Sequence, residues 1–522
     1  MRQNKNVLFL AVVVLAGVLT MTTCGGVETP DIPGAPTIEE IYVENRELVI
    51  TWSAVSNAVT YTLYWNTTGG VDTSDGKISG LLVPYYVHSG LSLFKTYSYA
   101  VTAVNAGGES GLSSEMSALS ALTPEELYKR LASDAEDNDR FGRSVALDGN
   151  HAIVGADLED GEGGSDRGAV YILDRDEGGT NNWGEVKKLT ASDAADGDYF
   201  GTSVSISGGT AVVGAPYEDS GGTDSGAAYI FYRDQGGDDN WGQEAKLTAS
   251  DAADGDLLGW SVAISSNYAV VGAPYYEDSG GTDSGAAYVF FRNEGGDNNW
   301  GQVAKLTASD AADGDHFGIS VAISGDFVVV GANFGDGLEA DSGAAYIFGR
   351  NQGGDDTWGQ VTKLTALDGQ SADMFGYSVA LDGDYVVVGA AGKRGDGFFR
   401  GAAYIYNRNQ GGDDNWGEVV KLTSSDPGDF DYFGGSVAID GNYIVIGAAG
   451  KWGDGFYRGA AYIFDRNRGG TDNWGEVMKL TSSDPEDEAY FGNSVAISGN
   501  YAVVSAEEED GAGTDRGVIY IF

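Results

Sequence analysis

The sequence predicts an all-β protein: a seven-bladed β-propeller with four-stranded blades, the last blade closed by an N-terminal strand, preceded by a small β-sandwich. Three observations predict it. From Leu127 onward a Phe-Gly (or Leu-Gly) pair recurs, with its glycine at Gly142, Gly201, Gly259, Gly318, Gly376, Gly434 and Gly492, at intervals of 58 or 59 residues. Self-similarity at such a period is the mark of a repeat architecture. Each period holds four short strand candidates, here named A to D, and four antiparallel strands per unit repeated seven times make a propeller. Finally, the seventh copy stops at Phe522 after its strand C, while Tyr128-Lys129-Arg130-Leu131 places a spare strand one period before the first complete strand D, with Leu131 58 residues ahead of Leu189. That spare strand is expected to complete the last blade and remove the exposed edges.

In the second copy the four candidates are Ser203 to Ile206, Ala211 to Ala215, Ala227 to Phe231 and Glu244 to Thr248. Strand B is apolar throughout, as a strand covered on both faces should be. Strand A carries small residues, which suits a crowded centre. Turns such as Asp382-Gly383 and Asp440-Gly441 between A and B are strong hairpin signals. A Trp-Gly pair leads strand D six times, from Trp183 to Trp474, and is missing from the spare strand.

Composition bounds the function. Of 522 residues 78 are acidic and 30 basic, a net charge of −48. Binding nucleic acid needs clustered cations, so that class is excluded. Glycine numbers 81, about twice the usual ~7 %, without a collagen triplet. One cysteine rules out a disulfide framework, and His88, His151 and His316 are too scattered for a histidine-based zinc or catalytic site.

Arg2 and Lys5 precede an apolar run from Val7 to Val18, and Cys24 follows. The charged start and short apolar stretch fit an export signal over residues 1–23. The run is shorter than the ~20 residues that span a bilayer. The segment resembles a bacterial lipoprotein signal, which implies that Cys24 is lipidated and that residues 24–32 are a linker. Export follows, with an outer-membrane or cell-surface location held by a lipid anchor. A plain secretory signal, leaving a secreted or periplasmic protein, is the alternative.

Residues 33–122 alternate as short strands require. Leu48 to Trp52, Tyr61 to Trp65 and Tyr97 to Val104 are the clearest, with Tyr97, Tyr99, Val101 and Ala103 on one face. Leu91 and Tyr97, then Ala103, Asn105, Gly108 and Ser110, together with Trp52, resemble a fibronectin type III domain. The resemblance implies a core tryptophan at Trp52, a tyrosine corner at Tyr97, and a spacer or binding module.

Within residues 127–522, Phe200-Gly201, Val213-Gly214-Ala215-Pro216 and Gly226-Ala227-Ala228-Tyr229 resemble FG-GAP repeats, the blades of the integrin α-chain propeller and of many bacterial surface proteins. The resemblance covers all seven copies. Gly-Ala-Pro is intact only in the second and third, and the seventh reads Ser505-Ala506-Glu507. The family's calcium loop lies between strands A and B. Here those turns are short, so that site is not carried over.

Two candidate sites remain. The loops from strand D to the next strand A carry Asp134, Asp137 and Asp139; Asp193, Asp196 and Asp198; Asp251, Asp254 and Asp256; Asp310, Asp313 and Asp315; and Asp426, Asp429 and Asp431. Three carboxylates within six residues suit a hard cation that takes six to eight oxygens, so calcium is expected here. A solvated acidic surface, with the aspartates capping turns, is the competing reading. The B–C loops of copies five and six are basic and aromatic: Lys393, Arg394, Phe398 and Phe399, then Lys451, Trp452, Phe456 and Tyr457. Aromatics and arginine anchor interfaces, so these eight are expected to bind a partner, unless the rings pack between blades. Arg394-Gly395-Asp396 reads as an adhesion-type tripeptide, but its counterpart Trp452-Gly453-Asp454 marks it as variation of the repeat.

No nucleophile–base pair or phosphate loop stands out. The expected function is therefore a surface binding or adhesion module for a protein or glycan, monomeric and not an enzyme. A carbohydrate-active enzyme using carboxylates on the propeller face is the alternative.

Overall fold

The computed structural model describes residues 30–44, 47–89, 91, 95–119, 127–161, 164–237, 239–277, 283–354, 356–452, 456–484, 486–510 and 513–522. Cys24 lies outside them. The chain divides into two compact units, Met1–Ala121 and Leu122–Phe522.

The first unit is a sandwich of two antiparallel sheets. One pairs Ile38–Glu44 with Glu47–Trp52 and that strand with Tyr85–His88; the other is built on Thr60–Asn66 and Thr96–Asn105. Period-two alternation sends Leu48, Ile50 and Trp52 from one sheet, and Leu63, Tyr99 and Val101 from the other, into a shared core. Leu91 and Tyr97 are buried in it as well.

The second unit is a ring of seven four-stranded sheets. Sheet two has Ser203–Ser207, Thr210–Ala215, Ala227–Tyr232 and Gly242–Leu247 as its strands A to D. Strand D begins two residues before the expected Glu244, directly after Trp241, and the C–D ladder absorbs the difference in a bulge between Ile230 and Phe231. Each innermost strand neighbours the next one round the ring, and the seventh neighbours the first. Closure is as the period requires: Tyr128–Arg130 adds to Val518–Ile521, with Tyr128 opposite Ile521, Lys129 opposite Tyr520 and Arg130 opposite Ile519.

The Phe-Gly and Gly-Ala-Pro positions lock neighbouring blades. Phe200 packs edge-on against Tyr229 of its own blade, ring centroids 5.5 Å apart. The carbonyl of Gly259 lies where a side chain on Gly214 would begin, 1.9 Å from the ideal Cβ, and it also accepts a hydrogen bond of 2.8 Å from Ser203 Oγ. Only glycine allows that approach. The Ser144–Gly201, Ser261–Gly318, Ser320–Gly376 and Ser378–Gly434 seams repeat the bond. At the seam between blades seven and one the glycine is replaced by Ser505, whose Oγ accepts from Ser494 N–H at 3.0 Å.

Candidate binding site at the channel mouth

The seven strands A surround a central channel of about 640 Å³. Each blade carries an identical Ser-Val pair here, from Ser144-Val145 to Ser494-Val495, and all of these residues but Val495 line the wall. The residue before each pair follows Phe-Gly (Leu-Gly in the third copy) and differs in every blade: Arg143, Thr202, Trp260, Ile319, Tyr377, Gly435 and Asn493. All but the glycine present a side chain to the channel region, so a sevenfold scaffold carries a lining with no symmetry. The residue before each Phe-Gly or Leu-Gly is held in the left-handed conformation in all seven blades, φ 52° to 56°, although it is Arg140, Tyr199, Leu257, His316, Met374, Tyr432 or Tyr490. Bulky residues pay about 1–2 kcal/mol for that backbone, and Met374, Tyr432 and Tyr490 among them line the channel.

One sector of the channel mouth is aromatic. Phe398 and Phe430 stack at 6.3 Å, and Phe399 packs on both Phe430 and Tyr432 at 5.8 Å. Beside them Trp452 meets Phe456 at 5.1 Å and Tyr457 at 5.7 Å, and Tyr457 stacks on Tyr490 at 5.6 Å. Phe398 (58 %), Phe456 (56 %), Trp452 (48 %) and Tyr377 (44 %) are well exposed. Thus Phe398, Phe399, Trp452, Phe456 and Tyr457 do form a surface cluster, and Arg394 is exposed near it. The sequence reading missed Phe430, Tyr432, Tyr490 and Tyr377; Tyr432 and Tyr490 directly precede a Phe-Gly pair, Tyr377 directly follows one and Phe430 lies three residues ahead of one.

Lys393 and Lys451 are a correction. Both are buried. Lys393 pairs with Asp373 at 2.6 Å and Lys451 with Asp431 at 2.7 Å. Each ammonium compensates an inward carboxylate twenty residues upstream and is not available to a partner.

The adjoining sector, where blades seven and one meet, is charged. Arg143 lies between Asp157, at 3.2 Å, and Glu507, at 3.4 Å, and Arg140 pairs with Glu508 at 3.6 Å. Asp157 and Glu507 are 6 % and 7 % exposed. Burial raises both carboxyls above their ordinary range, opposed by Arg143. Thr202 Oγ1 donates to Asp157 at 3.3 Å. Asp157 Oδ1 is buried without a hydrogen-bond partner.

The D–A aspartates do not converge on a shared point. Among the described residues no group of three or more His, Cys, Asp or Glu is placed to hold a metal ion. The physical reason is that the three have separate partners. The first aspartate of each loop meets a strand-D lysine: Asp134 with Lys188, Asp193 with Lys246 and Asp251 with Lys305 at 2.7 Å, Asp310 with Lys363 at 2.6 Å, and Asp426 with Lys479 at 2.8 Å. In four of the five loops a strand-C tyrosine hydroxyl also donates to it, as Tyr171 does to Asp134 at 2.8 Å and Tyr229 to Asp193 at 2.9 Å. Burial opposes ionisation of Asp134, but the lysine and tyrosine outweigh it and hold the carboxyl low. The second aspartate reaches an arginine of the neighbouring B–C loop: Asp137 with Arg516, Asp196 with Arg167 and Asp429 with Arg400. Asp254 instead accepts from Thr223 N–H, and Asp313 is exposed. The third is buried and caps its own loop: Asp139, Asp198, Asp256, Asp315 and Asp431 accept from the backbone N–H three residues earlier, at 2.6 to 2.9 Å. Lysine ammoniums supply the positive charge that a bound cation was expected to bring.

A family model described as FG-GAP repeat matches residues 125–173, 183–231, 241–290, 300–348, 358–406, 416–464 and 474–522. No curated protein matches the chain. Among solved structures it is similar to an Fn3-like protein from Clostridium thermocellum, at 22 % identity over 18 % of this chain and 97 % of that one, with a TM-score of 0.15. A structure described as FN3tt mut aligns at 25 % identity over 18 % of this chain and 97 % of that one, TM-score 0.14.

Proposed function

Because the chain belongs to the FG-GAP repeat family, whose propeller offers a scaffold for binding or adhesion, we propose that it is an exported surface lipoprotein, anchored through Cys24, that captures a glycan or protein partner on the aromatic sector of the channel mouth. The sandwich acts as a fibronectin type III-like spacer. The protein binds its partner and does not transform it.

The observation that carries this reading is the clustering of exposed rings. All six exposed aromatics of the described propeller, from Tyr377 to Phe456, fall in this sector. Rigid aromatic area presented to water is typical of an interface anchor, and contiguous apolar surface on a soluble protein marks an interaction site. The test replaces Phe398, Trp452 and Phe456 by serine and measures retention of surface polysaccharides and proteins from the native environment, alongside the melting temperature. Lost retention with unchanged melting is expected. Unchanged retention, or a large fall in melting temperature, refutes it.

A further inference from the structure

We infer that the channel beneath the mouth is a second, narrower site that takes a neutral sugar unit at the end of a glycan chain. The inference rests on the glycan form of the reading above. Its first support is the asymmetry of the lining. The Ser-Val pair is the same in seven blades because it builds the seam, whereas the preceding residue changes in each blade and leaves the seam bond intact. The result is a channel whose seven-fold frame carries a different residue at each blade.

The second support is the chemistry of the two walls. Arg143, Thr202 and Asn493 form a polar wall, faced by Trp260, Ile319 and Tyr377. Arg143 is already held by Asp157 and Glu507, so it offers N–H donors without a net positive charge. An anion gains little there and enters against the field of an acidic body. A cation meets carboxylates already committed to Arg143. A pyranose has what both walls want: hydroxyls that donate and accept along its edge, and a C–H face that covers an aromatic ring. A volume of about 640 Å³ falls in the ordinary range of small-ligand pockets, ~300–1,000 Å³.

The experiment uses the full chain and calorimetric titration with five neutral tetrasaccharides (cello-, malto-, manno-, galacto- and xylo-), with tetragalacturonate and with a chitosan tetramer. At least one neutral probe is expected to bind and the charged probes are not. Tyr377→Ser, Trp260→Ala and Asn493→Ala should each weaken the neutral probe about tenfold, roughly 1.4 kcal/mol, with unchanged melting; these avoid Arg143 and Thr202, whose loss would strip partners from buried carboxylates. The Phe398, Trp452 and Phe456 serine variant should keep tetrasaccharide affinity while losing polymer retention, so the two readings fail separately. Binding confined to charged probes, no binding by any neutral probe, or affinity untouched by all three channel variants overturns the inference.

Discussion

Lys129→Met tests ring closure at its most expensive point. Lys129 lies on the strand that completes blade seven, and its ammonium reaches Asp484 at 2.7 Å and also Glu509. The Glu509 side chain is wholly buried, and its remaining partner is the Tyr520 hydroxyl. Taking one partner from a buried ion pair leaves an uncompensated charge and costs about 3–5 kcal/mol. The propeller unit spans Leu122–Phe522. At ~2.1 cal/mol/K per residue its unfolding entropy is roughly 0.8 kcal/mol/K, so the melting temperature should fall by about 4–6 °C. Burial raises the Glu509 carboxyl even with Lys129 present, and the variant raises it further. The penalty falls on the ionised form alone, so it is full at neutral pH and disappears once the pH drops below the unfolded value of about 4.3. Adding Glu509→Gln should recover most of the loss at pH 7. The assay is calorimetric melting of wild type, single and double variants at pH 7 and pH 4.5. A single variant that melts with wild type, a double variant that recovers nothing, or a deficit independent of pH would refute the closure argument.

Four further outcomes are expected. Burial raises the Asp139 carboxyl to about 6, so its ionised form burdens the fold increasingly as pH climbs from about 4 to 6 and by a constant amount above that; Asp139→Asn, which keeps an oxygen for the Glu136 N–H, should stabilise by up to about 3 kcal/mol at pH 8 and by nothing below pH 4, read by urea unfolding. Gly331→Ala would drive a methyl to 2.0 Å from the Gly376 carbonyl and should cost about 3 kcal/mol or more, visible as a lower denaturant midpoint. Calcium should raise the melting temperature no more than sodium at matched ionic strength, and chelator should change nothing; a calcium-selective rise would return the D–A aspartates to metal binding. Cys24→Ala should shift the protein from membrane to soluble fractions, with loss of lipid mass from the mature N-terminus.

The blades were legible because their determinants are local and periodic: a strand of small residues, an apolar strand, a Gly-Ala-Ala-Tyr run and a Trp-Gly lead, each recurring in phase. The closing strand was legible by the same arithmetic, since Leu131 kept the register of Leu189 without its tryptophan. Side-chain direction was not. Lys393 and Arg394 are adjacent, yet one turns in to Asp373 and the other faces water, and nothing in their order distinguishes them. The three aspartates of a loop share a spacing but not an environment, because each environment comes from a different strand or a neighbouring loop. The Arg143–Glu507 pair joins residues 364 positions apart; only closure of the ring places them together, so the charged notch had no signature in either segment alone.

Closure also dictates an order of events during synthesis. Lys129 meets Glu509 across 380 residues, so a ribosome must deliver nearly the whole propeller before the earliest strand finds its place. Six blades assemble from chain that is already at hand, while Tyr128–Arg130 waits unpaired and blade seven arrives with a bare edge. The thermodynamic surcharge is small: joining ends ~380 rather than ~58 residues apart costs only about 1.7 kcal/mol of additional loop entropy. The delay is the greater hazard, because an unpaired strand and a bare edge are a matched pair not only within one chain but between two nascent copies.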